Sequence, residues 1–368
     1  MPVLQDKRLN QSRPGRKSII YLSVSYIVNE TFFSKFVVDS EFFNVINDLS
    51  KKNIHANNPT DATIDKSEDY SINLDVKVQA VEHFQKTGLD PKIGQEKIKE
   101  YRISAYDESM VKIPALEGSG YFVSHSLITL SDDMYIPLIF LTFNFYTRSR
   151  AIADGNNSLT FASDSIDIAS KLKYLSDRKA TLSRYTPSSS ILLIDGPLIG
   201  GQMTEYNMKL NKELSGKGVL PIYFVKNSDS SLIIDNTPSL RGNYNSDFEW
   251  AFKNLGLGER TRLYKYSDLS DPLGNKKKIF SYVKAFNSPP CRVELDEDSY
   301  KGVADKIDDI FNIVMYLLLA QGDPLNPQPR PIAIAETFAR EALKMVDFDE
   351  VINRTGIRPT MNYTRFGW

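Results

Sequence analysis

Histidine and cysteine are nearly absent: 368 residues hold only His55, His83, His125 and a single cysteine, Cys291. A zinc centre of four cysteines, or of two cysteines and two histidines, is therefore impossible within one chain, and so is an intramolecular disulfide. Histidine-based triads have few candidates. No G-x-x-x-x-G-K-[ST] stretch occurs, which excludes a P-loop ATPase. The longest apolar runs, starting at Tyr135 and Phe311, are too short to cross a bilayer. The basic start lacks a following apolar segment and cleavage site, so the expectation is a cytoplasmic protein without a secretory signal. What is present is an ordinary globular composition, 41% hydrophobic and 25% charged, with a net charge of -1. Chemistry must then rest on the 46 acidic residues, on oxygen-ligated metals or on hydroxyls.

The chain divides by texture. Residues 1–100 predict an extended basic start, a polar loop over Lys51–Ser71 and helical stretches, including VKVQAVEHFQK from Val76 at helical spacing. From Arg102, RISAYD, GYFVSHSLITL and MYIPLIFLTFNFY read as strands joined by short turns. A helix from Ser163 to Tyr185 follows, then the buried strand SSILLID, the glycine-ended helix MTEYNMKLNKELSGKG and the strand VLPIYFVK. Two further strands, KIFSYVKAF and CRVEL, precede two helices from Ser299 and Pro331. Three hairpin-linked strands followed by strands alternating with helices give an antiparallel half and a parallel half. The expected fold is α/β: a ribonuclease H-like mixed sheet flanked by helices, with a mainly helical N-terminal region. The expected organisation is residues 1–100, a nuclease-type core over 101–345, and a tail over 346–368.

Asp107 is expected to close the first core strand and Asp195 the fourth, which are neighbours in such a sheet. Two carboxylates at close range repel unless a cation lies between them. Mg²⁺ or Mn²⁺ takes oxygen ligands, and two such ions about 3.5–4 Å apart stabilise both the attacking and the leaving oxygen of a phosphodiester. That chemistry needs three or four carboxylates and no histidine. The competing reading makes Asp195, which precedes Gly-Pro, a turn residue.

Several stretches together resemble the NurA nucleases, prokaryotic DNA-end-processing enzymes. The apolar strand entering Asp-Gly-Pro-Leu is matched by Ile191 to Leu198, and the strand ending in lysine by YFVK and Lys226. A late strand followed by Arg-Val-Glu is matched by Arg292 to Glu294. The closing motif Tyr-Pro-x-Pro-Leu-x-x-Ala-His reads QPRPIAIAE here, from Gln328 to Glu336. Order and spacing carry the resemblance from Arg102 to Leu343, about two thirds of the chain. Departures mark a divergent member: Glu108 stands for a glycine in the first motif, Gln328 for the tyrosine and Glu336 for the histidine.

The resemblance implies a metal-dependent deoxyribonuclease binding two Mn²⁺ or Mg²⁺ ions through Asp107 and Asp195. It also implies an acid on the helix before the Asp-Gly-Pro-Leu strand, for which Asp177 is taken, with Asp167 as the alternative. Glu336 is read either as a fourth carboxylate ligand or as an acid favoured near a helix N-terminus. Lys226, Arg292, Arg330 and Gln328 are the expected nucleic-acid contacts. The run Lys276, Lys277, Lys278 is expected in an exposed hairpin, as a solvated turn or a phosphate contact. Tyr121, Phe122 and Tyr185 are candidates for base stacking or for the core, and His125 and Cys291 for packing. The implied partners are DNA, a HerA-like hexameric ATPase and a second copy of the chain, in 5′-to-3′ end resection and single-strand cleavage during repair or phage defence. Two other readings stay open: a catalytically silent DNA-binding or regulatory relative, and an enzyme acting on RNA or hybrids.

Overall fold

The computed structural model describes residues 75–131, 134–154, 159–274 and 276–360. All of them lie in the second of the two units into which the chain divides, 58–368. The helical expectation before residue 75, the Lys51–Ser71 loop, His55 and the last eight residues lie outside the described residues.

A single mixed sheet organises the second unit. Its strands are β1 Val76–Ala80, β2 Lys86–Gly88, β3 Arg102–Ala115, β4 Gly118–Ser131, β5 Met134–Thr147, β6 Leu159–Phe161, β7 Ser190–Asp195 and β8 Leu220–Val225. They continue with β9 Glu259–Thr261, β10 Tyr264–Asp268, β11 Lys277–Lys284 and β12 Cys291–Asp296. The spatial order is β1-β10-β11-β12-β8-β7-β3-β4-β5-β6, with β9 bridging β11 and β2. Within it, β5-β4-β3 are antiparallel while β3, β7 and β8 run parallel. This five-strand order is the ribonuclease H-like core that the sequence predicts, widened on the β8 side by antiparallel β12, β11 and β10.

Helices cover both faces: α1 Pro91–Lys97, α2 Ile166–Tyr185, α3 Thr204–Ser215, α4 Asp247–Asn254, α5 Ile307–Gln321, α6 Arg330–Lys344 and α7 Phe348–Thr355. Strand side chains alternate between faces with period two, so the core divides cleanly. Ile103, Ala105, Ile191, Leu193, Ile222 and Phe224 pack with Phe311, Val314 and Leu318 of α5 and Ile332 of α6. Tyr106, Leu192, Ile194 and Tyr223 pack instead with Leu182 of α2 and Leu210 and Leu214 of α3. Because both faces are covered, β7 reads as a continuous apolar run, and each fully buried leucine there contributes roughly 1.5–3 kcal/mol.

Three sequence expectations are corrected. VKVQAVEHFQK is not a helix: β1 pairs with β10 and β2 with β9. Val76, Val78 and Ala80 alternate, and the β-branched valines suit a pleated surface better than a helix. β3 does not stop at Asp107 but runs to Ala115, because Val111, Ile113 and Ala115 continue the buried alternation. The Lys276–Lys278 run is not an exposed hairpin: β11 begins at Lys277, and Lys278 is 2% exposed. Sequence placed these lysines by charge alone, whereas strand pairing to Asp296 and Tyr266 turns Lys278 inward.

One close approach fixes α1 against α5. An added Cβ at Gly94 would stand 2.0 Å from the backbone oxygen of Asn312, whose side-chain Oδ1 accepts the Asp90 N–H at 2.8 Å. Gly94→Ala is therefore expected to destabilise the fold by about 1–3 kcal/mol through overpacking. A thermal melt unchanged by this substitution would show that the two helices separate at no cost. No described helix is long and apolar enough to cross a membrane.

Candidate active site

The strand β7 ends where its sequence forces it to end: Gly196 adopts φ +100, and Pro197 cannot extend a ladder. Asp195 is thus held at the last position of a rigid, buried strand. The last β3–β7 partners are Tyr106 and Ile194, so the next residues along, Asp107 and Asp195, lie side by side. Asp107 is mid-strand in β3, yet it stands at the end of the β3–β7 pairing. Both side chains share the odd-numbered face, with Ile103, Ala105, Ile191 and Leu193, toward α5 and α6.

Helix α6 brings the third carboxylate. Pro331 presets its first turn, and Ile332, Ala335 and Ala339 are buried. Alanine at positions 335 and 339 lets the helix sit close to the sheet. Glu336 lies on the same stretch, with its side chain 17% exposed. Lys226, just beyond β8, places its Nζ 2.9 Å from Asp195 Oδ2 and 3.9 Å from Glu336 Oε2. Gln328 ties the group together: its Oε1 accepts from Lys226 at 2.8 Å, and its Nε2 donates to Glu336 Oε2 at 2.8 Å. Arg340, one turn on from Glu336, forms an ion pair with its other oxygen.

Asp107 registers the crowding. Burial, then the negative charges of Glu108, Asp195 and Glu336, push its carboxyl up to about 8, although one oxygen accepts the Glu108 N–H at 2.8 Å. Lys226 compensates Asp195 and Glu336 and leaves Asp107 with a surplus of like charge around it.

The structure separates some residues that the sequence grouped. Asp177 is buried on α2, on the opposite sheet face; one oxygen meets Lys173, and the other has no partner. Its charge acts on His125 and Tyr146, and it is not among the groups that perturb Asp107. Asp167 is exposed and paired with Lys112 and Tyr121, each at 2.6 Å. Arg292 also points to the opposite face, where its Nε donates to Glu294 at 2.7 Å. Arg330 is exposed at the start of α6, donating to the Ala320 carbonyl at 3.1 Å. Tyr121, Phe122, His125 and Cys291 are core residues, whereas Tyr185 is 40% exposed. Burial holds the His125 imidazole down at about 4 and pushes the Cys291 thiol up to about 12, so both are neutral at physiological pH.

Two participants escaped the sequence reading. Glu108 was read only as a lost glycine, yet it is the strongest charged neighbour of Asp107. Its side chain takes the Tyr174 hydroxyl on the α2 face. Adjacency in AYDES was the available signal. Arg340 was legible as the i+4 partner of Glu336.

The donors that converge, Asp107, Asp195 and Glu336, are all carboxylates, a set suited to a hard divalent cation. Among the described residues, no group of three or more histidine, cysteine or acidic side chains is arranged to hold an ion as it stands, and Lys226 pairs with both Asp195 and Glu336. The fit is therefore one of donor chemistry and uncompensated charge.

A family model described as the NurA domain matches residues 164–341. No curated protein matches the sequence. Among solved structures, the chain is similar to the NurA nuclease from Sulfolobus solfataricus, at 12% identity and TM-score 0.41, covering 86% of this chain and 94% of that one. It is also similar to endonuclease V from Bacillus subtilis, at 11% identity and TM-score 0.36, covering 70% and 84%, and to a NurA solved with manganese, at 9% identity and TM-score 0.37, covering 73% and 93%. The matched region, which spans Asp195, Lys226 and Glu336, identifies residues 164–341 as a NurA domain of divergent sequence.

Proposed function

We propose that the chain is a divalent-cation-dependent DNA nuclease whose site is built from Asp107, Asp195 and Glu336, with Lys226 and Gln328 beside them. The observation that carries this reading is that carboxylates from three separate elements act on one another: Asp107, raised to about 8 chiefly by burial and by Glu108, also feels the charges of Asp195 and Glu336. Those three residues would hold Mn²⁺ or Mg²⁺. A divalent cation there supplies Lewis-acid polarisation of a phosphodiester and offsets the charge that builds on its oxygens. Lys226 offers its ammonium to the scissile phosphate, exchanging a carboxylate partner for a phosphate oxygen. Gln328 holds Lys226 and Glu336 in register, so it acts as a positioning residue rather than a DNA contact. Asp177, on the other face, is assigned no part in catalysis.

The match to the NurA domain motivates the finer reading: a cytoplasmic homodimer that resects DNA ends with a HerA-like hexameric ATPase, in repair or phage defence. A silent, DNA-binding or regulatory role is the second reading. What favours it is the Lys226–Asp195 ion pair, which already neutralises part of the site.

The two are separated by following degradation of plasmid and linear DNA in Mn²⁺ by wild type and Asp195→Ala. Loss of one such electrostatic group is expected to lower the rate by about 10²–10³-fold. Equal rates in the two proteins, or no cleavage by either with DNA binding retained, would reject the nuclease reading.

A further inference from the structure

On the sheet face opposite the carboxylates lies a cavity of about 580 Å³, a size typical of small-molecule sites. Its floor holds two cationic side chains. Lys278 and Arg292, 2% and 3% exposed, both line it. They share one counter-ion: Glu294 Oε1 accepts from Lys278 Nζ at 2.6 Å and from Arg292 Nε at 2.7 Å, while Oε2 accepts the Leu198 N–H at 2.9 Å. Asp247 also acts on both cations, so the floor offers two cationic donors whose charges Glu294 and Asp247 together balance. Asp247, the next acid back, is committed to the Ile233 and Ile234 N–H groups and the Tyr282 hydroxyl.

The walls add to this. Thr204, the first residue of the twelve-residue helix α3, borders the cavity, so the positive end of that helix's dipole faces it. Beside it, Gly201 sits at φ +54, and a Cβ there would meet nothing within 4 Å; the turn stays slim and the helix start open. Pro197, Val225 and Leu232 form an apolar side. Two carboxylates stand at the mouth: exposed Glu205, and Asp268, whose Oδ1 already takes both Ser270 donors. Two cationic donors, a helix N-terminus and an apolar wall suit a ligand with one strongly anionic end and one flat apolar end.

We propose that this cavity binds a nucleoside 5′-monophosphate group, phosphate on Lys278 and Arg292 and base against the Pro197 side. The source of that group is either a free mononucleotide or the phosphorylated end of a DNA strand. Burial drags the Lys278 ammonium down to about 8 despite Glu294, a strain that an anion on the floor relieves. Pro197 and Asn227 follow closely on Asp195 and Lys226, so the cavity backs onto the carboxylate site through two short segments. The inference does not depend on the nuclease reading, because a phosphate pocket serves a silent relative equally well.

Calorimetric titration of the full-length protein in chelator tests it, with deoxyadenosine 5′-monophosphate, deoxyadenosine, and a short oligonucleotide with and without its 5′-phosphate. Deoxyadenosine should bind at least about tenfold more weakly than its monophosphate, since the charge-assisted bonds are lost. Lys278→Met should weaken monophosphate binding by about tenfold or more, and the rim substitution Lys276→Glu by about fivefold. The rim residue is half-buried, so its variant reports even if Lys278→Met fails to fold. Asp195→Ala should leave monophosphate binding within about twofold, as expected for independent sites. Preference for the phosphorylated oligonucleotide over the mononucleotide assigns the pocket to strand ends, and the reverse assigns it to free nucleotide. No saturable binding, binding unchanged in both lysine variants, or binding lost in Asp195→Ala overturns the proposal.

Discussion

Asp107→Asn is expected to lower Mn²⁺-dependent DNA cleavage by at least about 10³-fold and, in chelator, to make the protein more stable. Both effects come from one cause. Asp107 is buried among Glu108, Asp195 and Glu336, and its carboxyl is raised to about 8. The folded state therefore keeps a proton that the unfolded chain gives up near pH 4. Where the unfolded state binds fewer protons, stability falls as pH rises. The penalty is absent below about pH 4, grows between about 4 and 8, and is complete above about 8. Asparagine cannot ionise, so it removes the penalty, on the order of 3 kcal/mol at pH 8.5 after allowance for relaxation around a partly accessible site. Urea melts in chelator at pH 4 and pH 8.5 measure it: the variant should match wild type at the lower pH and exceed it at the higher. A variant less stable than wild type at pH 8.5 would show that Asp107 is structural. Cleavage rates retained within a factor of about three, well below the loss of one electrostatic group, would remove it from the site.

Glu294→Gln is expected to cost about 3–5 kcal/mol of stability, because it strands Lys278 and Arg292 in the interior. Burial alone would raise the Glu294 carboxyl, yet Lys278 and Arg292 outweigh burial and hold it below the ordinary carboxylate range. That stabilisation is present above the unfolded glutamate value and is lost as pH falls through the folded one. The substitution leaves a near-isosteric amide that keeps a hydrogen bond but not the charge. Adding Lys278→Met, which removes one of the two stranded cations, should recover part of the loss. Thermal or chemical melts of the two single variants and the double variant form a cycle whose coupling is expected at about 1–3 kcal/mol. Strict additivity would mean that the triad is held by packing and not by its charges.

Much of the core was legible locally. The apolar run Ile191–Ile194 bounded by Asp195-Gly196-Pro197, the capped helix α2 and the glycine-ended helix α3 each announce themselves within a few residues. Their order implies the parallel half of the sheet. What failed was local reading where partners decide. VKVQAVEHFQK satisfies a helical spacing, but β10 supplies a pairing partner for its first five residues, which become the edge strand β1. Lys278 and Arg292 look like surface cations until strand pairing faces them toward Glu294. Asp177 was chosen by spacing along α2, and the face that helix presents to β4 and β5 carries it away from Asp107.

Sequence alone determined the type of chemistry open to this protein: almost no histidine or cysteine leaves carboxylates and hard cations, and Glu336 stands where the family has histidine. It also determined that Asp195 ends its strand, since Gly196 and Pro197 break the ladder locally, whereas Asp107 lies mid-strand in β3. Only the tertiary structure decided which third acid joins them. A carboxylate's neighbours depend on which sheet face its helix covers, and that follows from long-range packing between α6 and the odd-numbered side of β3 and β7. The same long-range packing sets Lys226 beside Asp195 and Glu336, raises Asp107, and buries Lys278 and Arg292 against Glu294 on the other face.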